Sequence, residues 1–328
     1  MPEELSIVAG VDVGGTTMKA RAVRIDGHGL PIVTEDAVLD GEAVRSPTPT
    51  HDPQAALQAI ARTVRTLTER VAPEPLGALG VVVPGIIDEP NGIAVFQAQL
   101  GWDRLRVVER LGELTGLPVA LGHDVRGGGL AEWRLGAGRG TDDLLFVMLG
   151  TGVGAAAVVD GRLLTADGYA GQLGHIEVRT AARATTGPDE LRCGCGQHGC
   201  LGTLASASAV VRRYAQRSGN AEVDGRPAVT EAREVAALAR AGDPDAVQVW
   251  DEAVEALAAG LADAVTLYGS SRIVLGGGLA LAGDQLASPV AEHLRKRLSF
   301  HRRPEIRTAE LGDESAILGA ALLAARAA

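Results

Sequence analysis

The sequence predicts an α/β protein built from two lobes of similar topology. The chain has 328 residues, which is enough for two domains of about 150 residues each. A buried strand, a glycine turn, a second strand and an Asp-Gly turn follow one another in residues 8–27, and the same succession returns in residues 146–161. Such a repeat is typical of two lobes of like topology, although strand–glycine–strand units also arise by chance.

The first half of the chain alternates apolar strands with an amphipathic helix. Short apolar runs that end at turn signals predict strands at residues 5–13, 17–25, 79–83 and 119–122. Asp52 and Pro53 are typical of a helix start, with Asp as N-cap and Pro in the first helical position. The apolar face of this helix is predicted at helical spacing by Ala56, Ile60, Val64, Leu67 and Val71.

The second half repeats the alternation of strands and helices. Strands are predicted at residues 144–149, 155–159 and 272–275, and helices at residues 251–268 and 315–327. The most loop-like stretch is residues 181–190. We expect an N-terminal lobe of residues 1–124, completed by the C-terminal helix at residues 315–328. A C-terminal lobe of residues 125–314 would carry the cysteine loop described below.

Composition excludes several classes of protein. The formal net charge is −10, and the richest basic stretch, residues 293–303, is typical of a solvated helix face and loop, so we expect no nucleic-acid partner. No apolar run reaches the roughly 18 residues that span a bilayer. The acidic N-terminus lacks the basic region of a signal peptide, which predicts a cytoplasmic protein. All three cysteines fall within residues 193–200, which does not suit a disulfide framework.

The glycine turn after the first strand has the composition of a phosphate-binding loop. Its candidate phosphate-binding residues are Asp12, Gly14, Gly15, Thr16, Thr17 and Lys19. Glycines let the backbone approach an anion, and amide and hydroxyl groups can donate to phosphate oxygens. Asp12 could hold Mg²⁺, usually through water. The alternative is an ordinary glycine-rich hairpin.

Two further glycine turns follow predicted strands of the second half. Their candidate nucleotide-binding residues are Gly150, Thr151, Gly152, Gly154, Gly276, Gly277 and Gly278. The first of these turns would be a second clamp on the polyphosphate, and the second would lie near the adenosine. Tight glycine turns are common, so either turn could instead be purely structural.

Asp124 lies just past a predicted strand end. A kinase that acts on an alcohol needs a carboxylate to orient the hydroxyl group and to accept its proton late in transfer. The alternative is that Asp124 caps the helix predicted at residues 125–133.

The cysteines suggest a metal site. Three thiolates and one imidazole make a four-ligand set suited to tetrahedral zinc, and the predicted ligands are His175, Cys193, Cys195 and Cys200. No coordination position would remain open, so the zinc would be structural. His198 could replace His175, and the alternative to a zinc site is a group of free buried cysteines.

Together these motifs resemble the ROK family of bacterial sugar kinases and repressors, and its glucokinases in particular. The ordered features that carry the resemblance are residues 12–19, 83–85, 100–102, 124, 150–154, 171–175 and 199–201. The resemblance implies a two-lobed actin/hexokinase-like (ribonuclease H-like) fold with a cleft between the lobes, ATP and Mg²⁺ as co-substrates, and Asp124 as catalytic base. It also implies a homo-oligomer, by analogy a dimer. The phosphate loop begins by residue 12, so we expect no N-terminal DNA-binding domain.

The resemblance also implies a substrate pocket, and this chain departs from the family there. The implied substrate-binding residues are Pro84, Gly85, Gln99, His123, Asp124, Gln172 and His175. Glucokinases of this type usually have Asn at the positions of Gln99 and His123, and Glu at those of Gln172 and Gly202. Catalytic motifs kept beside an altered pocket favour a kinase for an analogue of glucose, first a seven-carbon cyclitol and second an aminosugar. The alternatives are a glucokinase with a tolerant pocket and a non-catalytic sugar sensor.

Overall fold

A computed structural model describes residues 6–32, 42–180, 191–219 and 229–327 of the chain. The predicted loop at residues 181–190 and the first residue of the predicted strand at 5–13 lie outside these ranges. The strands are β1 Ser6–Val13, β2 Thr17–Ile25, β3 Val44–Pro47, β4 Leu76–Val83, β5 Ile86–Asp88, β6 Ile93–Gln97, β7 Trp102–Arg106, β8 Val119–His123, β9 Leu144–Leu149, β10 Val153–Val159, β11 Arg162–Leu163, β12 Arg272–Gly276 and β13 Glu305–Thr308.

The α-helices of the described ranges alternate with these strands. They are α1 Pro53–Val71, α2 Val107–Thr115, α3 Asp124–Leu135, α4 Leu201–Ala205, α5 Ala207–Ser218, α6 Ala232–Ala241, α7 Pro244–Tyr268, α8 Asp284–Arg297 and α9 Ser315–Ala324. None of them is both long enough and apolar enough to cross a membrane.

The chain divides into two compact units. Unit 1 contains Met1–Leu135, Thr165–Ala170 and Asp313–Ala328, and unit 2 contains Gly136–Leu164 and Gly171–Gly312. This division differs from the predicted boundary at residue 124 because α3 and the segment Thr165–Ala170 group with unit 1. Helix α3 groups with unit 1 because its backbone packs against that of α9. A Cβ atom on Gly319 would collide with the backbone of Gly127, so the two helices touch at glycine.

The sheets of the two units share one strand order. In unit 1 the order is β3-β2-β1-β4-β8, and in unit 2 it is β11-β10-β9-β12-β13. In each sheet the central strand pairs antiparallel with the strand that follows it along the chain and parallel with the next strand of the order. The repeat predicted from residues 8–27 and 146–161 therefore corresponds to β1–β2 and β9–β10, and the α/β fold class of two similar lobes is confirmed.

Helix ends follow the capping signals of the sequence. Asp52 caps α1 by accepting from the amide of Ala55, with Pro53 at its first turn, as predicted. The helix predicted at residues 251–268 begins earlier, at Pro244. Asp243 caps it by accepting from the amide of Ala246. The same Asp-Pro signal therefore starts both helices, and the prediction overlooked the second occurrence.

Candidate functional site

The glycine turn of unit 1 joins β1 to β2. Gly14 donates its amide hydrogen to the carbonyl of Thr17 at 3.1 Å, which closes the turn. The side-chain Nε2 of Gln99 donates to the carbonyl of Gly15 at 3.2 Å. The structure therefore places the predicted substrate residue Gln99 against the predicted phosphate loop.

Asp12 lies at the end of β1, paired in register with Lys19 of β2. The pKa of Asp12 is raised to about 7, mainly by burial and then by the charges of Asp124 and Asp313, while the charge of Lys19 lowers it. Lys19 Nζ also lies 3.3 Å from Oδ2 of Asp313, a residue that the sequence reasoning missed. The predicted residues Asp12 and Asp124 are therefore close enough in unit 1 to influence each other's charge.

The raised pKa of Asp12 predicts a pH-dependent effect of its replacement. A carboxyl group whose pKa is higher in the folded chain than in the unfolded one stabilises the fold at low pH, and that stability is lost as the pH rises from 3.8 to about 7. Asp12→Asn cannot ionise, so it should have a higher Tm than wild type at pH 8 and a smaller advantage at pH 5. Thermal unfolding without nucleotide or metal measures this, with the exposed Asp103→Asn as control. An equal or lower Tm for Asp12→Asn at pH 8 would refute the assignment.

Asp124 is the first residue of α3, where β8 ends. Its Oδ1 accepts from the amide of Val125 at 2.7 Å and lies 3.1 Å from Nδ1 of His123. Burial lowers the pKa of His123, with Arg126 adding to the effect and Asp124 and Glu89 opposing it. The imidazole is therefore neutral at neutral pH, and the side chain of Asp124 is partly exposed at the end of β8, the edge strand of the unit 1 sheet.

The surroundings of His123 contain two residues that the sequence reasoning missed. The amide of His123 donates to Oε1 of Glu89 at 3.4 Å. Nε of Arg126 donates to the same oxygen at 2.7 Å, and the Arg126 side chain is only 1% exposed. Glu89 and Arg126 are 37 residues apart in the chain, so no local pattern of the sequence indicates that they pair.

Pro84 and Gly85 follow β4 directly and form the turn into β5. Gly85 has a φ of 114°, a conformation that favours glycine. The neighbouring strand β6 leads to Gln97, whose buried Oε1 accepts from the amide of Leu100 at 2.8 Å. This hydrogen bond orders the loop that carries Gln99. Unit 1 thus holds one set of predicted residues: the phosphate loop, Asp124 and the first part of the substrate pocket.

Unit 2 brings together the two remaining glycine turns. The carbonyl of Gly150 accepts from the amide of Ala207 at 2.9 Å, so α5 begins beside the turn that follows β9. Gly277 has a φ of 85° and lies against the carbonyl of Leu149, where a Cβ atom would be 2.6 Å from that oxygen. The predicted turns at 150–154 and 276–278 are therefore neighbours at the end of the same sheet.

A cavity of about 300 Å³ lies beside these turns. Its lining includes Thr151, Ser208, Val211, Glu231, Arg233 and Gly278. A Cβ atom at Gly150, Gly152 or Gly278 would meet no atom within 4 Å. Packing does not require glycine there, and the missing side chains let a ligand approach the backbone of the turns closely. The cavity has the size at which ligand pockets begin, roughly 300 Å³.

The segment with Gln172 and His175 is held against β10. The amide of Ala155 donates to the carbonyl of Gly171 at 2.8 Å, and a side chain on Gly171 or Gly174 would collide with the backbone of β10. The amide of His175 donates to the carbonyl of Gln172 at 3.0 Å, and the side chain of Gln172 is exposed. A Cβ atom on Gly202 would lie 3.2 Å from the carbonyl of Gly174. Positions 172 and 202 therefore belong to adjacent backbone segments.

The four predicted metal ligands form one cluster. The ligand atoms of His175, Cys193, Cys195 and Cys200 all lie within 4.8 Å of one another. Sγ of Cys193 is 3.5 Å from Nδ1 of His175, and Sγ of Cys195 is 3.7 Å from Sγ of Cys200. A zinc tetrahedron with the usual bond lengths has sulfur–nitrogen edges of about 3.5 Å and sulfur–sulfur edges of about 3.8 Å. His198, the alternative ligand, is not part of this group.

Comparison with known proteins gives closely agreeing matches. The model of the ROK family matches residues 8–327. The chain is 32% identical over 323 residues to a glucokinase of Thermotoga maritima, with 95% of each chain covered. It is 30% identical over 318 residues to an N-acetylgalactosamine kinase of Shewanella, covering 96% of this chain and 95% of that protein. A solved ROK glucokinase of Streptomyces griseus, in complex with glucose and AMPPNP, matches with a TM-score of 0.79, 29% identity and coverage of 98% and 100%.

Proposed function

The chain belongs to the ROK family, and we propose that it is a sugar kinase that transfers the γ-phosphoryl group of ATP to the primary hydroxyl group of a glucose-like substrate. One observation carries the proposal: Asp124, which follows β8, and the phosphate loop, which follows β1, lie at the same end of the unit 1 sheet, because Asp12, Val82 and Gly122 are aligned in register across β1, β4 and β8. A sugar kinase needs this pairing, because a hydroxyl group must be oriented next to bound phosphates.

The nucleotide is assigned to the glycine turns. In unit 2 the cavity beside Thr151 and Gly278 has room for adenosine, and a phosphate can approach the backbone of Gly152 closely, because a Cβ atom there would meet no atom within 4 Å. In unit 1 the hydroxyl groups of Thr16 and Thr17 and the ammonium group of Lys19 are suited to binding a phosphate group.

Asp12 is the residue that would hold the Mg²⁺ of the nucleotide. Burial disfavours the charged form of Asp12 and raises its pKa to about 7. A bound cation would stabilise that charged form. When bound, Mg²⁺ neutralises charge on the phosphate oxygens. A fully exposed carboxylate would have gained little from such a cation, so burial of Asp12 supports this assignment.

The proposed transfer needs one proton acceptor. The oxygen of the substrate hydroxyl group attacks the γ-phosphorus, the bond from that phosphorus to the β-phosphate oxygen breaks, and ADP leaves. The hydroxyl proton passes to the carboxylate of Asp124 late in the transfer. The neutral imidazole of His123 and the amide of Val125 hold that carboxylate in place.

The cysteine cluster is proposed to hold structural zinc. Its donor set of three sulfurs and one nitrogen suits zinc, and the two close distances of 3.5 and 3.7 Å match the edges of a tetrahedron. The four protein ligands would fill all coordination positions of the zinc, so the ion would take no part in the transfer. Its role would be to fix the segment from Gln172 to His175. His175 is the zinc ligand that lies closest in sequence to Gln172, which is a predicted substrate residue.

Metal analysis tests the zinc assignment. Freshly purified protein should contain one zinc per chain, and His175→Ala should lose the zinc and lower the Tm because a four-ligand site contributes folding free energy. His198→Ala is the matched control. His198 lies between Cys195 and Cys200 in the sequence, but its imidazole is not part of the cluster. Zinc-free protein, or equal losses of zinc in the two variants, would contradict the assignment.

The substrate pocket favours a glucose analogue over glucose. Gln172 presents a neutral amide where related glucokinases present a carboxylate, and Gly202 presents no side chain. An amide can donate to an acceptor such as the ring ketone of a seven-carbon cyclitol, and the space at Gly202 can admit a bulkier group. An aminosugar ranks second, because removal of two negative charges does not favour an ammonium group. A dimer and a cytoplasmic location stay predictions.

The proposal is tested by ADP release with ATP and a panel of hexoses, aminosugars and cyclitols. Turnover of at least one acceptor is expected, and it must depend on that acceptor. No turnover across the panel, combined with measurable binding of a panel compound, would favour the non-catalytic sensor instead.

A further inference from the structure

Arg126 is a buried arginine that the proposed chemistry does not use. Its side chain is 1% exposed, and Nε donates to Oε1 of Glu89 at 2.7 Å. Nη1 donates to the carbonyls of Gly168 and Ala170 at 3.3 Å each, and Nη2 donates to the carbonyl of Ile87 at 3.4 Å. The guanidinium group donates to one carboxylate and to three backbone carbonyls. It therefore fixes the backbone at these carbonyls in addition to neutralising the charge of Glu89.

The carbonyls that accept from Arg126 belong to two separate stretches of chain. Ile87 is in β5, and Gly168 and Ala170 are in the segment Thr165–Ala170, which unit 1 includes although the flanking residues belong to unit 2. Gly168 has a φ of 94° and touches the backbone of Ile87, where a side chain would collide. Arg126 therefore ties this segment to β5 at a point where no side chain could intervene. The segment continues directly into Gly171 and Gln172.

A second set of contacts connects Arg126 with the proposed base Asp124. Arg126 lies two residues after Asp124 in α3. Its partner Glu89 also accepts from the amide of His123 through the same Oε1, and Nδ1 of His123 is 3.1 Å from Oδ1 of Asp124. A continuous set of contacts thus runs from the carboxylate of Asp124 through His123, Glu89 and Arg126 to the carbonyls of Gly168 and Ala170.

We propose that Arg126 is a positioning residue that holds the base Asp124 and the segment Thr165–Ala170 of unit 1 in a fixed arrangement. The inference rests on the proposed kinase function, because Asp124 is the proton acceptor there. The side chain of Arg126 is 1% exposed, so its proposed role needs no contact with either substrate. Its guanidinium holds the segment Thr165–Ala170 and, through Glu89, the end of β8, so that the acceptor's hydroxyl group meets a base in a defined place.

Arg126→Lys tests the proposal, because lysine keeps the charge opposite Glu89 but cannot hold four acceptors in one plane. A misplaced base should lower kcat by about tenfold to a hundredfold. The KM for a seven-carbon keto-cyclitol should rise by about tenfold. The KM for ATP should stay within about twofold, because the partners of Arg126 are Glu89, Ile87, Gly168 and Ala170, and none of them is assigned to the nucleotide. Amide hydrogen exchange of residues 165–170 should accelerate by about tenfold or more.

Arg213→Lys is the matched control. Arg213 is also 1% exposed and pairs with a buried carboxylate, Glu252, in unit 2. This variant should lose stability. It should not show a lowered kcat at an unchanged KM for ATP, and amide exchange at residues 165–170 should not become faster. If Arg126→Lys does not fold, Arg126→Met with Glu89→Met removes both charges at similar volume and should show the same lowered kcat at an unchanged KM for ATP and the same faster exchange.

Two outcomes would overturn the proposal: kinetics of the Arg126 variant that match those of Arg213→Lys, or unchanged exchange at residues 165–170. The exchange measurement needs no substrate. If wild type phosphorylates no acceptor, the proposed function fails, and the exchange result still decides whether Arg126 holds the segment.

Discussion

Asp124→Asn is expected to fold normally and to lose about 10²–10⁴ in kcat. Asparagine has the shape of aspartate, and its carbonyl oxygen can still accept from the amide of Val125, so the start of α3 should be preserved. It cannot accept the proton of the attacking hydroxyl group at neutral pH. The measurement is kcat with the best acceptor of the panel, alongside the Tm.

Asp243→Asn is the matched control for this prediction. Asp243 is also an aspartate at the start of a helix, where it accepts from the amide of Ala246 at 2.8 Å, but it belongs to unit 2 and to no predicted site. This variant should keep wild-type kcat. If Asp124→Asn stays within a few-fold of wild type at an unchanged Tm, Asp124 is not the base and only caps α3.

The second large effect is expected from restoring the two carboxylates of the substrate pocket. Gln172→Glu combined with Gly202→Glu should gain activity on glucose and lose activity on the native substrate. Sugar hydroxyl groups are donors, and charged acceptors form the stronger hydrogen bonds. Each unpaired polar group in such a site costs about 1–3 kcal/mol, so the preference should shift by tens-fold or more. The ratio of kcat/KM for glucose to that for a keto-cyclitol measures the shift.

Gly202→Gln with Gln172 retained is the control for this double variant. A Cβ atom at position 202 would lie 3.2 Å from the carbonyl of Gly174, so any side chain there requires a small adjustment of the backbone. Glutamine makes the same steric demand without the charge. Equal gains of glucose activity in the two variants would show that shape, and not the lost carboxylates, determines the preference. No gain in either would remove positions 172 and 202 from the specificity determinants.

Local signals predicted much of the fold and of the site. The strand predicted at residues 17–25 is β2, because an alternating apolar run between turn residues has few other solutions. The sequence indicated the cluster of His175, Cys193, Cys195 and Cys200 because these residue types at this spacing are themselves a chemical signal. Asp52 and Pro53 gave the start of α1 correctly.

The parts that the sequence did not reveal depend on contacts between distant residues. Arg126 meets Glu89 and Gly168, which lie 37 and 42 residues away, and no local pattern announces such partners. Asp313 approaches Lys19 across 294 residues. The grouping of Thr165–Ala170 with unit 1 likewise follows from the packing of Gly168 against Ile87, which only the folded chain displays.

The central claim is that this ROK protein phosphorylates a glucose analogue rather than glucose itself. The most direct measurement is kcat/KM for a seven-carbon keto-cyclitol and for glucose, side by side with ATP, with the phosphate ester of each product located by phosphorus NMR. The account predicts a value for the cyclitol that exceeds the value for glucose by about tenfold or more, with the phosphate on the primary hydroxyl group. A kcat/KM for glucose of about 10⁴ M⁻¹s⁻¹ or above, equal to or greater than that for the cyclitol, would contradict the claim and make the protein a glucokinase with a tolerant pocket.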